Sequence, residues 1–266
     1  MNGYDRENEK LKRFLYLKNW KDNIYFVLVG PREPGNIGAA ARAIKNMGFK
    51  NLCLVNPPSI MTDESRWFAR NAVDILESAH VFPDVKSAVI DKSLVVGTSR
   101  RTGKNRGLFL PAEQGAQRLF EIACINKVAI LFGREDRGLF NEEVDECGFL
   151  MTIPASKNQP SLNLAQAVLI VAYELSSSGY SADGVKKTDA PPQKLVSLRE
   201  ISAMYERIEK TLKILKYIPR GNKDVGKKIM QNLKHFVGRA GLTDWELRML
   251  LGICSRIEKK ITADKD

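Results

Sequence analysis

Five short, almost uninterrupted apolar runs, each followed by a helix-type pattern, set the fold class of this chain. They are IYFVLVG (24–30), NLCLV (51–55), SLVVGTS (93–99), KVAILFG (127–133) and FLMTI (149–153). Strands that lack polar alternation are covered on both faces, and such strands belong to parallel sheets whose crossover helices supply the cover. The segments between them carry helical signals. A helix is expected from about Asn36 to Met47, with Ile37, Ala40, Ala41, Ile44 and Met47 on one stripe, and another around 64–78. Pro111 suits the first position of a third helix, and a short helix fits between 133 and 149. LNLAQAVLIVAYELS (162–176) is apolar nearly all round, which predicts a buried helix. The expected body is an α/β domain over residues 23–178 with a mostly parallel sheet. A charged amphipathic helix at 5–19, within a lead-in segment 1–22, precedes it.

The pattern breaks at SSSGYSADGVKKTDAPPQ (176–193), rich in Ser, Gly, Pro and charge, which reads as a linker over 179–194. Beyond it only helical patterns remain, so residues 195–266 are expected to form a small all-α C-terminal domain. Ser197 with Glu200, and Thr243 with Glu246, have capping-box spacing. Leu247, Leu250, Leu251, Cys254, Ile257 and Ile261 fall on one stripe of the last helix. Charge is unevenly divided. Residues 185–266 hold 19 Lys+Arg against 10 Asp+Glu, whereas residues 1–184 hold 23 against 21. A near-neutral body with a basic tail suits a polyanionic partner, nucleic acid before anionic lipid, the alternative being a merely solvated face. Lys227, Lys228, Gln231 and Lys234 share one face of the penultimate helix, which marks the three lysines as candidate RNA contacts.

Several classes are disfavoured. The longest apolar run, Ala167–Tyr173, falls far short of the ~20 residues of a membrane span, and the N-terminal segment is too charged for a secretory signal, so a cytoplasmic protein is expected. Cys53, Cys124, Cys147 and Cys254 are widely separated, as are His80 and His235. Neither a metal centre nor a His-dependent triad is expected, and the cysteines read as buried small hydrophobes. GPREPGNIGAAARA (30–43) lies where phosphate loops lie but has Asn36 and Ile37 where a Walker loop needs Lys and Ser/Thr. It also has Glu33 where a dinucleotide fingerprint needs glycine.

Three segments together point elsewhere. PGNIGAAARAIKNMGF (34–49), LFGREDRGL (131–139) and IPASKNQPSLNLAQAVLIVAYEL (153–175) resemble, in order and spacing, the three motifs of the SpoU/TrmH branch of the SPOUT methyltransferases. HFVGRAGLTDWELRMLLGICSRIEKK (235–260) resembles the C-terminal helical extension of the TrmJ-type tRNA ribose methyltransferases in that branch. The resemblance covers residues 22–260. It implies a deep trefoil knot in the C-terminal part of the α/β domain, S-adenosylmethionine as methyl donor with no metal, and a homodimer. The implied reaction is methylation of a ribose 2′-hydroxyl in tRNA, at position 32 of the anticodon loop. An rRNA methyltransferase, or a catalytically silent RNA-binding protein of the same fold, is the alternative.

Carried over position by position, the resemblance places cofactor contacts at Thr98, Ser99, Arg100, Gly133, Ile153, Pro160, Ser161 and Leu162. The catalytic signature falls at Asn36, Arg42, Glu135 and Asn163. The residues themselves fit in part. Gly133 ends a strand and begins a turn, so bare backbone can approach a ligand, and 160–162 precede a helix, where amides are free. Arg100, Arg101, Lys104 and Arg106 suit an RNA backbone. Each also has a plain structural reading as turn glycine, helix cap or solvated loop. Arg42 lies beside the apolar stripe and, alone, would be an exposed helix arginine. The family proposal is that it deprotonates the ribose hydroxyl. A guanidinium stays protonated below ~12, so anchoring a phosphate or ribose and stabilising a developing alkoxide is the preferred role. Glu135 would orient Arg42 or pair with a neighbouring cation.

Overall fold

The apolar runs lie side by side in a seven-stranded sheet in which every pairing is parallel. The strands are β1 (Ile24–Val29), β2 (Asn51–Val55), β3 (His80–Phe82), β4 (Leu94–Thr98), β5 (Phe109–Pro111), β6 (Val128–Phe132) and β7 (Phe149–Thr152), in the order β3-β2-β1-β6-β4-β7-β5. This computed structural model describes residues 19–101, 103, 107–156, 158–181, 193–217 and 223–263. The expected N-terminal helix at 5–19 and most of the expected linker lie outside the described residues.

Alternate side chains along each strand go to opposite faces, and both faces are apolar because both are covered. Phe26, Leu28, Ile130 and Phe132 point to one face. There they pack under α1 (Pro34–Asn46), α2 (Asp63–Ala69), α3 (Val73–Glu77), α5 (Ala112–Ala123) and α7 (Leu164–Ser181). Val27, Val29, Ala129 and Leu131 point to the other, under α4 (Val85–Val89) and α6 (Asn141–Val144). Phe26, Phe132 and Phe149 are fully buried, each burial contributing about 1.5–3 kcal/mol.

Four sequence expectations are revised. β3 and β5, of three residues each, were not expected, being too short for a periodic pattern. The helix expected at 64–78 is broken at Arg70, whose φ of 53° interrupts the α geometry between α2 and α3. The two pieces thereby both lie on α1, where a Cβ at Gly38 would sit 2.1 Å from the Ser65 carbonyl oxygen. Pro111 ends β5 and caps α5 rather than opening it. Finally, α7 continues to Ser181 and is not buried all round: Leu169 and Tyr173 are exposed, one turn apart.

After residue 193 come only helices, α8 (Leu198–Ile214), α9 (Lys223–Gly238) and α10 (Asp244–Ala263). The Glu200 carboxylate accepts from the Ser197 N–H and hydroxyl (2.8 and 2.7 Å), and Glu246 does the same for Thr243 (2.8 Å each), so both expected caps form. Ile201, Met204, Val237, Leu242 and Leu247 make a separate small core. This unit docks at the amino end of β4 through backbone: Leu198 and Arg199 donate to the Lys92 and Ile90 carbonyls, between α4 and β4, at 2.8 and 3.0 Å. At Gly148 and Gly238 the two backbones touch, and a Cβ on Gly148 would lie 1.7 Å from the Gly238 oxygen.

The face of α9 carrying Gln231 and Lys234 is turned toward acids. Gln231 donates to Asp145 at 2.7 Å, and half-buried Lys234 pairs with Glu146 at 3.5 Å. Lys227 and Lys228 are exposed.

Two glycine replacements should have opposite signs. Gly148→Val forces apart the α9 contact and should cost on the order of 1–3 kcal/mol. Gly252→Ala, on α10 with nothing within 4 Å of its Cβ, should gain about 0.5–1 kcal/mol from reduced unfolded-state freedom. Denaturant melts of both variants give the two signs.

Candidate active site

The carboxyl ends of β4, β6 and β7 open together into a cleft of about 140 Å³, at the strand-end position where open α/β sheets bind ligands. Its walls come from four stretches of chain: 98–101 after β4, 132–139 after β6, Met151 and Ile153 at the end of β7, and 160–167 running into α7. Each wall is fixed locally. The Thr98 hydroxyl donates to the Leu131 carbonyl at 3.0 Å, tying β4 to β6, and the Ser99 amide donates to Met151 at 2.9 Å.

The 133–139 loop is a tight return in which Gly138 and Arg134 exchange backbone hydrogen bonds (2.8 and 3.3 Å). A Cβ on Gly133 would lie 2.2 Å from the Gly138 carbon and the Leu139 nitrogen, so glycine is demanded by the loop closing on itself. Gly138 takes φ +67°, a conformation that glycine adopts without steric cost. Arg134 is committed to the protein: its guanidinium makes a bidentate pair with Glu143 at 3.0 Å and lies 4.0 Å from the Phe140 ring centroid. Glu143 also accepts the Phe140 amide at 2.7 Å.

A second set of polar contacts joins three distant segments. Asn36, in the first turn of α1, donates its side-chain amide to Glu135 at 2.9 Å and accepts from Asn163 at 2.8 Å. Glu135 also accepts the Arg32 backbone N–H at 3.2 Å, and Asn163 caps α7 by accepting from Ala165 at 2.8 Å. A carboxylate only accepts, so Glu135 fixes which end of the Asn36 amide faces it, and Asn163 must then donate.

All eight positions expected to contact cofactor line the cleft, as do Arg101 and Glu135. Asn36 and Asn163 stand beside it, joined through Glu135. Arg42 is exposed, makes no hydrogen bond or ion pair among the described residues and does not line the cleft. Glu135 does not meet Arg42: its oxygens go to Asn36 and the Arg32 amide. Lys104 and Arg106 lie outside the described residues. Lys227, Lys228 and Lys234 are on α9, none of them in the cleft lining, and Lys234 is paired with Glu146.

Sequence reasoning passed over the apolar floor, Phe132, Leu139, Met151 and Leu164, and the charges of Arg32, Asp136 and Arg137. The floor residues read only as core, but the adjacent REDR run was a visible signal. Among the described residues no group of three or more His, Cys, Asp or Glu is placed to hold a metal, and no helix is long and apolar enough to cross a membrane. Burial pushes the Cys53 thiol up to about 11 and raises Cys147 as well, so neither is a thiolate near neutral pH.

Residues 23–173 match the model of the SpoU rRNA Methylase family, and residues 199–266 match the C-terminal domain of the tRNA methyltransferase TrmJ. An uncharacterized tRNA/rRNA methyltransferase of Haemophilus influenzae is 36% identical, over 92% of this chain and 98% of its own. The tRNA (cytidine/uridine/adenosine-2′-O-)-methyltransferase TrmJ of Pseudomonas aeruginosa is 34% identical, over 90% and 95%. The crystal structure of TrmJ from Z. mobilis ZM4 superposes with a TM-score of 0.73 at 32% identity, over 88% of this chain and 98% of that one. Fold and family are those of a methyltransferase. The chain belongs to the SpoU methylase family, and its similarity to the TrmJ members extends through the C-terminal helices.

The Arg134–Glu143 pair makes a prediction about the cleft loop. Its side chains are only 18% and 13% exposed, so Glu143→Ala, which strands a largely buried guanidinium, should cost on the order of 3 kcal/mol. Lys45, in the exposed pair with Asp74 (43% and 60%), should tolerate replacement by Ala at under about 1 kcal/mol. Urea melts compare the two.

Proposed function

We propose that this chain transfers the methyl group of S-adenosylmethionine to a ribose 2′-hydroxyl of tRNA, at position 32 of the anticodon loop. The observation that carries the reading is the convergence of eight positions, from stretches of chain far apart in sequence, on one cleft at the strand ends. The cleft suits a nucleoside cofactor. Leu139, Met151, Ile153, Leu162 and Leu164 offer apolar contact for a base. The Ser161 and Leu162 amides, without partners among the described residues, are available to polar groups. Arg100 and Arg101 supply positive charge for a carboxylate.

When bound, S-adenosylmethionine supplies an electrophilic methyl on a sulfonium. The chain's part is to present a ribose oxygen to it, and positioning of this kind is worth a large share of a displacement barrier. Arg42 holds the ribose or its phosphate and favours negative charge building on the oxygen, a role open to a permanently protonated guanidinium. Asn36, Glu135 and Asn163 set the start of α1, from which Arg42 projects two turns on. They are positioning residues. A trefoil knot is supported by β7 lying between β4 and β5, which places a late strand inside an edge already laid down. A homodimer is supported by the outward Leu169 and Tyr173 of α7. A tRNA substrate, and with it a cytoplasmic location, follows the TrmJ relatives and the basic tail.

Labelled methyl transfer to total tRNA, followed by mapping of 2′-O-methyl groups, tests the reading. Methylation of rRNA alone would replace the substrate, and no transfer at all would leave an RNA-binding protein. Arg42→Ala should lower turnover by about 10²–10⁴-fold with unchanged cofactor affinity by calorimetry, and Arg42→Lys should keep part of the activity. Wild-type turnover in Arg42→Ala would make it an ordinary surface residue. Gly133→Val, which must displace the 138–139 backbone, should abolish cofactor binding.

A further inference from the structure

Asp136 is where two arginines from different segments meet. Arg32, between β1 and α1, has its Nη1 2.9 Å from Asp136 Oδ2, and Arg137 has its Nε 3.4 Å from the same oxygen. One carboxylate thus serves two guanidiniums, its neighbour Glu135 being engaged by the Arg32 amide and the Asn36 side chain. Both arginine side chains stay exposed, at 56% and 67%. Each guanidinium has five N–H donors. Asp136 is within ion-pair distance of Nε of Arg137 and Nη1 of Arg32, so most donors of these two exposed guanidiniums are left for a further acceptor.

Stability gives little reason for this arrangement. Exposed ion pairs contribute about 0–1 kcal/mol. The two segments are already joined at the same place by the Arg32 amide donating to Glu135. Arg134, in the same loop, shows what a structural arginine looks like here: bidentate to Glu143 and against Phe140. Arg32 and Arg137 are instead oriented and left open. Arg137 lines the cleft, and Arg32 stands at its edge through the bond to Glu135.

The geometry points to a phosphodiester-binding site at the cleft mouth, in which Arg32 and Arg137, oriented by Asp136, grip an RNA phosphate next to the ribose presented for methylation. This inference rests on the proposed methyltransferase reading for the identity of the strand. Forked N–H donors match phosphate oxygens bidentately, which favours arginine over lysine at such a site.

The test uses the full chain, as Arg32→Gln, Arg137→Gln, the double variant and Arg137→Lys. Each is measured by tRNA filter binding over a salt series, by S-adenosylmethionine calorimetry and by thermal melting. Each Gln should weaken tRNA binding about tenfold at low salt and flatten the slope of log K against log salt by roughly 0.7–0.9. Arg137→Lys should keep the slope and recover only part of the affinity. Unchanged tRNA affinity and slope in the double variant would overturn the site. So would a loss confined to cofactor affinity, which would assign the guanidiniums to the cofactor carboxylate, or one confined to melting temperature, which would make them a loop staple. Wild-type turnover separates the two readings: no methyl transfer with arginine-dependent tRNA binding defeats the function but not the site, and methyl transfer with indifferent arginines does the reverse.

Discussion

The side-chain chain Asn163–Asn36–Glu135 joins residues 127 and 99 positions apart, and the site depends on it. It fixes the first turn of α1, the first turn of α7 and the loop after β6 in one frame. Its direction is dictated by chemistry: a carboxylate with no proton to give requires the Asn36 NH₂, which leaves the Asn36 oxygen to accept from Asn163. The cleft is bounded by two of these three segments, and Arg42 projects from the third. Buried apolar area holds the sheet together, but apolar packing has no direction of its own. The amide and carboxylate contacts supply the angular precision that a displacement at carbon requires.

Arginines around the cleft divide by what holds them. Arg134 is consumed by Glu143 and Phe140 and shapes the loop, while Gly30, at a φ of +58° that glycine adopts freely, leaves it room: a Cβ there would lie 2.8 Å from Arg134 Nε. Arg32 and Arg137 share one acid. Arg100 and Arg101 in the cleft lining, and Arg42 outside it, have no side-chain hydrogen bond or ion pair among the described residues. One sequence neighbourhood thus provides structural, oriented and unengaged cations, and the acids beside them make the difference. The same accounting reduces the basic tail. Lys234 is neutralised by Glu146, and Gln231 is engaged by Asp145, so that part of the α9 face holds the helical unit to the body. Lys227 and Lys228 remain exposed.

The helical unit is not independent of the cleft-bearing domain. The Gly148–Gly238 contact and the backbone bonds to Lys92 and Ile90 set it against the amino ends of β4 and β7, the strands whose carboxyl ends open into the cleft. Replacing either glycine brings backbone against a side chain, and interiors packed at crystal-like density have little slack to absorb it.

Sequence by itself determined the five long strands, the parallel class, the stripe of α1, both capping boxes and eight positions of the cleft lining. Strand burial on two faces and a Ser or Thr capped by Glu three residues on are written in neighbouring residues, and the motif spacing survives as order along the chain. Tertiary structure alone decided the rest. Glu135 meets Asn36 rather than Arg42, Asp136 gathers Arg32 and Arg137, Lys234 finds Glu146, and Leu169 and Tyr173 face outward. β3 and β5 exist only because longer strands offer them an edge. A charged side chain's partner is settled within a few ångströms, by which segments the fold brings together, and no local pattern in the chain encodes that distance.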